Sequence, residues 1–234
     1  MMPPEPRILV SPDSDSWAGF AADAIGQAIN SVLSHKNLCH VMLTGGRTAE
    51  RLYRYWNDKA NLPLERLSFL FGDERCVPPD HADSNYALVM KTLFAKGVPS
   101  DCSIVRMEAE NPDQEAAAKA YERLLPETLD ILLLGMGEDG HIASLFPNSL
   151  ALLAEERSVL PIKGPKLPFE RLTITPGVIA SAKSIFLLVA GKEKGVVLAD
   201  ALKPGANIMS LPVRLALNGT CLLDAEARRM LDLC

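Results

Sequence analysis

The run Gly135-Met136-Gly137-Glu138-Asp139-Gly140-His141 sets an imidazole two residues after a carboxylate, inside a glycine-rich segment. Those residue types suit proton transfer. Histidine can take up and return a proton near neutral pH, and a carboxylate on its other ring nitrogen fixes the tautomer and stabilises the charge that forms. Asp139, Glu138, Asp73 and Glu74 are all candidates for that partner, and Asp139 is carried forward with His141 as the catalytic pair. A short helix is expected from His141, with Asp139 as its cap. Its N-terminus would disfavour the imidazolium and keep the ring a base.

A second chemistry is anion binding. Thr44-Gly45-Gly46-Arg47-Thr48 reads as a strand-to-helix turn. The glycines expose backbone N–H groups, the helix N-terminus favours negative charge, and Arg47 and Thr48 add donors. Gly191-Lys192-Glu193-Lys194 starts a similar step, so Lys194 is expected to meet the same anion. The P-loop spacing is absent.

Three other motifs compete with these readings and carry less. Gly135–Gly140 formally matches the G-x-G-x-x-G dinucleotide fingerprint, but two carboxylates lie inside the loop and the motif falls late in the chain. His81 in Asp80-His81-Ala82-Asp83, with Asp73, has metal-ligand residue types but no recognised ligand spacing. Ser144, three residues after His141, lacks the G-x-S-x-G elbow of a hydrolase triad. No metal and no cofactor are expected.

These residues must be positioned by regular elements. Apolar runs at Arg7–Val10, Leu38–Leu43, Leu67–Phe71, Asp130–Leu134 and Ser184–Ala190 predict buried strands. Amphipathic stretches predict helices over Trp17–Leu33, Thr48–Asp58, Ser84–Lys96, Pro112–Leu125, Glu193–Leu202 and Asp224–Leu231. The alternation points to an α/β fold, a mainly parallel sheet with helices on both faces, in one domain over residues 1–234. Pro161–Pro168 reads as a loop. Ligands of such sheets bind beyond the carboxyl ends of the strands. Several of the motifs above follow directly on an apolar run, so they are expected to converge on one rim.

Composition narrows the class. The chain has 234 residues, 48% hydrophobic and 23% charged, which fits a soluble globular protein rather than a disordered one. A net charge of −5 argues against a general nucleic-acid or membrane-surface binder. Cys39, Cys76, Cys102, Cys221 and Cys234 form no C-x-x-C pair and are expected as free thiols in a reducing compartment. Met1–Pro6 carries no apolar core of the signal-peptide kind, and no apolar run approaches membrane-span length. A cytoplasmic location is expected.

The segments Leu43–Thr48, Phe71–Tyr86, Gly135–Pro147, Arg171–Pro176 and Gly191–Lys194 together resemble the 6-phosphogluconolactonase family, in order along the chain. The resemblance implies a Rossmann-like three-layer α/β/α sandwich shared with glucosamine-6-phosphate deaminases. It implies hydrolysis of 6-phosphoglucono-1,5-lactone to 6-phosphogluconate, the second step of the oxidative pentose phosphate pathway. The related deaminases have a third motif resembling G-x-D-G-H-I-A-F-N-E-P, whereas Ala143 here is followed by Ser144-Leu145-Phe146-Pro147, the lactonase pattern. The resemblance gives His141 the part of base for water. It sets Arg75 with Gly45, Gly46, Thr48 and Lys194 as substrate or phosphate contacts, with Arg171 as a lesser candidate for the same pocket; Asp73 and Arg47, inside the same motifs, are counted with them. Arg47 departs from the family pattern, which more often has a small or polar residue there. The implied partner is a small-molecule sugar-phosphate lactone, with no nucleic acid, no membrane, and a monomer or weak homodimer. A deaminase–isomerase and a catalytically silent sugar-phosphate-binding module remain as alternatives.

Overall fold

The computed structural model describes residues 5–233. Most of the Met1–Pro6 segment and the Cys234 thiol lie outside the described residues. Seven strands form one sheet in the order β1 (Arg7–Val10), β10 (Thr220–Leu223), β9 (Ser184–Val189), β6 (Ile131–Gly135), β2 (Cys39–Leu43), β3 (Leu67–Phe71) and β5 (Ser103–Ile104). Every pairing in it is parallel. Alternate residues of each strand enter opposite cores, as the two-residue period of a strand requires. Val41, Leu43, Phe69, Phe71, Ile131, Leu133 and Leu188 face α1 (Trp17–Leu33), α2 (Arg47–Lys59) and α3 (Asn85–Thr92). Met42, Leu70, Leu132, Leu134, Leu187 and Val189 face the core that holds α4 (Gln114–Glu122), α5 (Pro176–Ser181), α6 (Lys192–Leu202) and α7 (Ala225–Leu233). The result is the expected three-layer α/β/α sandwich.

Alpha1 shows how the apolar face is spent. Trp17, Ala21, Ile25 and Ile29 are buried along one stripe, and the Trp17 indole donates to the Leu222 carbonyl at 3.1 Å, tying the helix to β10. From β2 the chain moves through α2 to β3 on one side, while β6 lies on the other side of β2 and leads on to β9 and β10. The order therefore reverses between β2 and β6. That is the switch point at which open α/β sheets bind ligands.

A second sheet of three antiparallel strands was not foreseen: β4 (Asp73–Arg75), β8 (Glu170–Ile174) and β7 (Val159–Lys163). It corrects the loop expected over Pro161–Pro168. Pro161 pairs with Leu172 within β7, an edge strand, where a residue without an N–H is tolerated. The loop itself is only the turn between β7 and β8. Gly72 joins the two sheets: its N–H donates to the Leu43 carbonyl and its carbonyl accepts from Ile174, so β4 leaves the main sheet directly above β2.

Candidate active site

At the carboxyl ends of β2, β3 and β6 lies a cavity of about 120 Å³, lined by Thr44, Gly45, Gly46, Thr48, Asp73, Arg75, Gly135, Met136, Gly137, His141, Ala143, Arg171 and Lys194. A larger cavity of about 500 Å³ opens at the amino ends of β1, β9 and β10, beside Arg7, Lys183 and Asn218; it holds no histidine. The smaller one contains the chemistry.

His141 follows a tight turn rather than opening a helix. The Gly140 N–H donates to the Gly137 carbonyl, the Gly137 N–H to the His141 carbonyl, and Met136 bridges Ile142. The expected helix is therefore absent, Asp139 caps nothing, and no helix dipole acts on the ring. The reason is local: Gly140 has φ +80° and Ala143 φ +48°, which break any helical run. The same turn removes the dinucleotide reading, because no helix N-terminus follows the G-x-G-x-x-G stretch to receive a pyrophosphate.

What Asp139 does instead is pair with the imidazole. Its Oδ1 lies 2.5 Å from His141 Nδ1. Burial works to raise the Asp139 carboxyl, yet the hydrogen bond and charge of His141 outweigh it and hold the carboxyl at about 2. A carboxylate can only accept, so Nδ1 carries the hydrogen and Nε2 is the ring nitrogen left to take up a proton. Of the other candidate partners, Glu74 accepts from Ser84 Oγ and from the backbone N–H groups of Arg75, Asn85 and Tyr86, closing the start of α3. Burial raises its pKa while those backbone hydrogen bonds lower it. Asp73 accepts from Ser144 Oγ at 2.6 Å and from Asn85 Nδ2 at 3.1 Å. Ser144 thus donates to Asp73 and makes no triad with His141.

Around the pair stand cations. Lys194 donates to Thr48 Oγ1 at 2.9 Å, which brings the starts of α2 and α6 together. Burial lowers the Lys194 pKa and Arg47 lowers it further, against the pull of Glu138 and Asp224. Gly46 and Gly191 cap those two helices with nearly the same backbone, φ +93° and ψ 165° against φ +91° and ψ 160°. Gly191 is held by Asp224, which accepts from its N–H. Arg75, also on the lining, donates to the Asp83 carbonyl, and its Nε is buried without a partner. Arg171 is 6% exposed, and burial followed by the charge of Arg75 lowers its pKa. Among the described residues, none of Arg75, Arg171 and Lys194 is within ion-pair distance of a carboxylate. Unpaired cations facing one cavity give it a field that favours an anion.

The structure thus gathers Gly45, Gly46, Thr48, Asp73, Arg75, His141, Arg171 and Lys194 on one cavity, with Asp139 behind His141. Arg47 is exposed and does not line it, so it contributes charge only from outside. The His81 group is no site either: His81 is exposed, with Asp83 at 3.7 Å, and no cluster of ligand residues able to hold a metal occurs among the described residues. Sequence reasoning gave no part to Asn85, whose side chain fills the space above Gly45, or to Gly137. Both lie inside motifs already singled out, Gly137 between the two other glycines of its loop.

A parallel sheet with a histidine–aspartate pair and a cationic rim at its switch point is the layout of an open α/β enzyme. The chain belongs to the family of glucosamine-6-phosphate isomerases and 6-phosphogluconolactonases, whose model matches residues 12–223. It is 35% identical over 224 residues to a 6-phosphogluconolactonase of Pseudomonas putida, covering 91% of this chain and 90% of that one. Against a 6-phosphogluconolactonase of Mycobacterium tuberculosis the figures are 33% over 239 residues, with 94% and 96% covered. The solved 6-phosphogluconolactonase of Trypanosoma brucei superposes with a TM-score of 0.84 at 27% identity, over 96% of this chain and 98% of that one. A monomeric glucosamine-6-phosphate deaminase shares the fold, with a TM-score of 0.81 at 21% identity over 96% of this chain and 99% of that one. No helix among the described residues is long and apolar enough to cross a membrane.

Proposed function

We propose that this protein hydrolyses 6-phosphoglucono-1,5-lactone to 6-phosphogluconate in the oxidative pentose phosphate pathway, with His141 as general base. The observation that carries the reading is the Asp139–His141 pair, 2.5 Å apart, set on a cationic cavity. Nε2 of His141 takes a proton from water as the water oxygen bonds to lactone C1. The carbonyl electrons move onto oxygen, and the Arg75 guanidinium or rim N–H groups stabilise that oxyanion. The bond from C1 to the ring oxygen then breaks, and His141 returns its proton to that oxygen. The new carboxylic acid ionises and releases one proton. Lys194, Thr48 and the glycine-capped starts of α2 and α6 hold the phosphate, whose binding energy orients the ring. We assign the whole of 1–234 to one domain, supported by β1 lying beside β10, and a soluble, cytoplasmic monomer or weak homodimer belongs to the same reading.

The test is proton release from freshly generated lactone in weak buffer, with and without chelator, for the wild type and His141→Asn. Chelator-insensitive turnover is expected, with kcat about 10²–10⁴-fold lower in the variant and KM little changed. A variant that keeps wild-type turnover overturns His141 as the base. A wild type that leaves the lactone alone but releases ammonia from glucosamine 6-phosphate overturns the reaction itself.

A further inference from the structure

The Asp139 carboxylate is one of several groups that hold the His141 ring. Gly137 runs so close that a β-carbon there would stand 2.2 Å from both Cε1 and Nδ1. Against the ring packs Phe146, with centroids 4.6 Å apart and planes tilted by 44°. Phe146 is itself clamped. The Arg171 guanidinium lies 5.5 Å from its centroid, and a β-carbon at Gly164 would meet Phe146 Cε2 at 2.9 Å and Arg171 Nε at 3.1 Å. Arg171 in turn donates from Nε to the Pro168 carbonyl at 3.0 Å and from Nη2 to the Lys166 carbonyl at 3.4 Å. A stack therefore runs from the β7–β8 turn through Arg171 and Phe146 to His141.

Two features set this stack apart from ordinary core. Phe146 is 6% exposed and does not line the cavity, so it acts on substrate only through another residue. Arg171 places a buried charge on an aromatic face, which compensates part of its lost hydration. The ring torsion of histidine has a broad minimum, so a single hydrogen bond at Nδ1 would leave the imidazole hinged about that contact. A packed aromatic face removes the freedom.

We propose that Phe146, clamped by Arg171, is a positioning residue that fixes the plane of the His141 ring, so that Nε2 faces the attacking water while Nδ1 stays on Asp139. The proposal rests on the lactonase reading above. It also gives Arg171 a second task beyond contact with substrate.

Phe146→Leu keeps an apolar side chain but loses the flat face, and Phe146→Tyr keeps the face. The leucine variant is expected to lose about tenfold in kcat with KM within about twofold, and the tyrosine variant to stay near wild type. Long-range proton–nitrogen NMR reads the His141 tautomer without any turnover. The wild type should show a single form with hydrogen on Nδ1, and the leucine variant a mixture or broadened signals. A leucine variant with wild-type kcat and an unchanged tautomer overturns the proposal, as does a rise in KM with kcat intact. If circular dichroism shows that Phe146→Leu does not fold, Arg171→Lys, which removes the planar clamp, must reproduce the same kcat loss and NMR change. Should the wild type fail to hydrolyse the lactone, the reaction is wrong and the NMR comparison alone decides the positioning.

Discussion

Replacing Asp139 with Asn removes a charge and little else, since the two side chains are nearly the same size. In the native protein the carboxyl is held down from 3.8 to about 2, mainly against burial and by His141. That fall corresponds to about 2.5 kcal/mol in favour of the charged pair. Burial opposes it, so the pairing itself is stronger than the net, while screening at a carboxylate still 32% exposed works the other way. The Asp139 carboxylate, 2.5 Å from Nδ1, stabilises the positive charge that the ring acquires as it takes a proton from water. The transition state for water attack is where His141 gains that proton. Asp139→Asn should therefore lower kcat by at least about sixty-fold with KM nearly unchanged, and by more if the carboxamide turns its NH2 toward Nδ1 and inverts the tautomer. Steady-state proton-release kinetics at saturating lactone measure this. A variant within about fivefold of the wild-type kcat would refute the coupling, and with it the account of Asp139 as the group that stabilises the protonated base.

The neighbouring predictions probe geometry and charge separately. Gly137→Ala puts a β-carbon 2.2 Å from the His141 ring, so the ring must leave its place; kcat should fall by about 10²-fold or more while the melting temperature shows that the fold survives. Lys194 binds an anion only when protonated, and burial lowers its pKa, so inhibition by 6-phosphogluconate should fade with rising pH before an ordinary lysine titrates. In Lys194→Arg, whose guanidinium stays charged, that alkaline loss should disappear from the inhibition profile. Retention of the loss in the arginine variant would assign it to another group.

The legible part of the fold is the part whose signal is local. Leu67–Phe71 is an uninterrupted apolar run and is a strand with those same ends. The buried face of α1 was visible as residues three and four apart. The small sheet was not legible, for reasons that differ strand by strand. Asp73–Arg75 is three charged residues, Val159–Lys163 contains a proline, and Glu170–Ile174 begins on exposed charge. Each becomes a strand only because its partners, far away in sequence, complete it. The two-residue β5 is too short to carry a pattern. At the site, residue identities were readable and their relations were not. The approach of Lys194 to Thr48 spans 146 residues, and that of Ser144 to Asp73 spans 71. The helix expected at His141 failed because a glycine and an alanine with positive φ flank Ile142 and its neighbours, and only the glycine announces such a backbone.

The matching backbones of Gly46 and Gly191 bear on how this rim can change under mutation. Nothing lies within 4 Å of a β-carbon at Gly46, so a side chain there would find room, but its dihedrals belong to a region that essentially glycine alone occupies. Crowding does not guard the position; chirality does. The next residue, Arg47, is exposed and does not line the cavity, and carries no such restriction. The cradle is thereby divided into an unchangeable backbone and freely variable decoration. A lineage could alter the charge around its phosphate by drift at Arg47 without rebuilding the amides that hold it, whereas any single replacement of Gly46 would strain the turn those amides depend on.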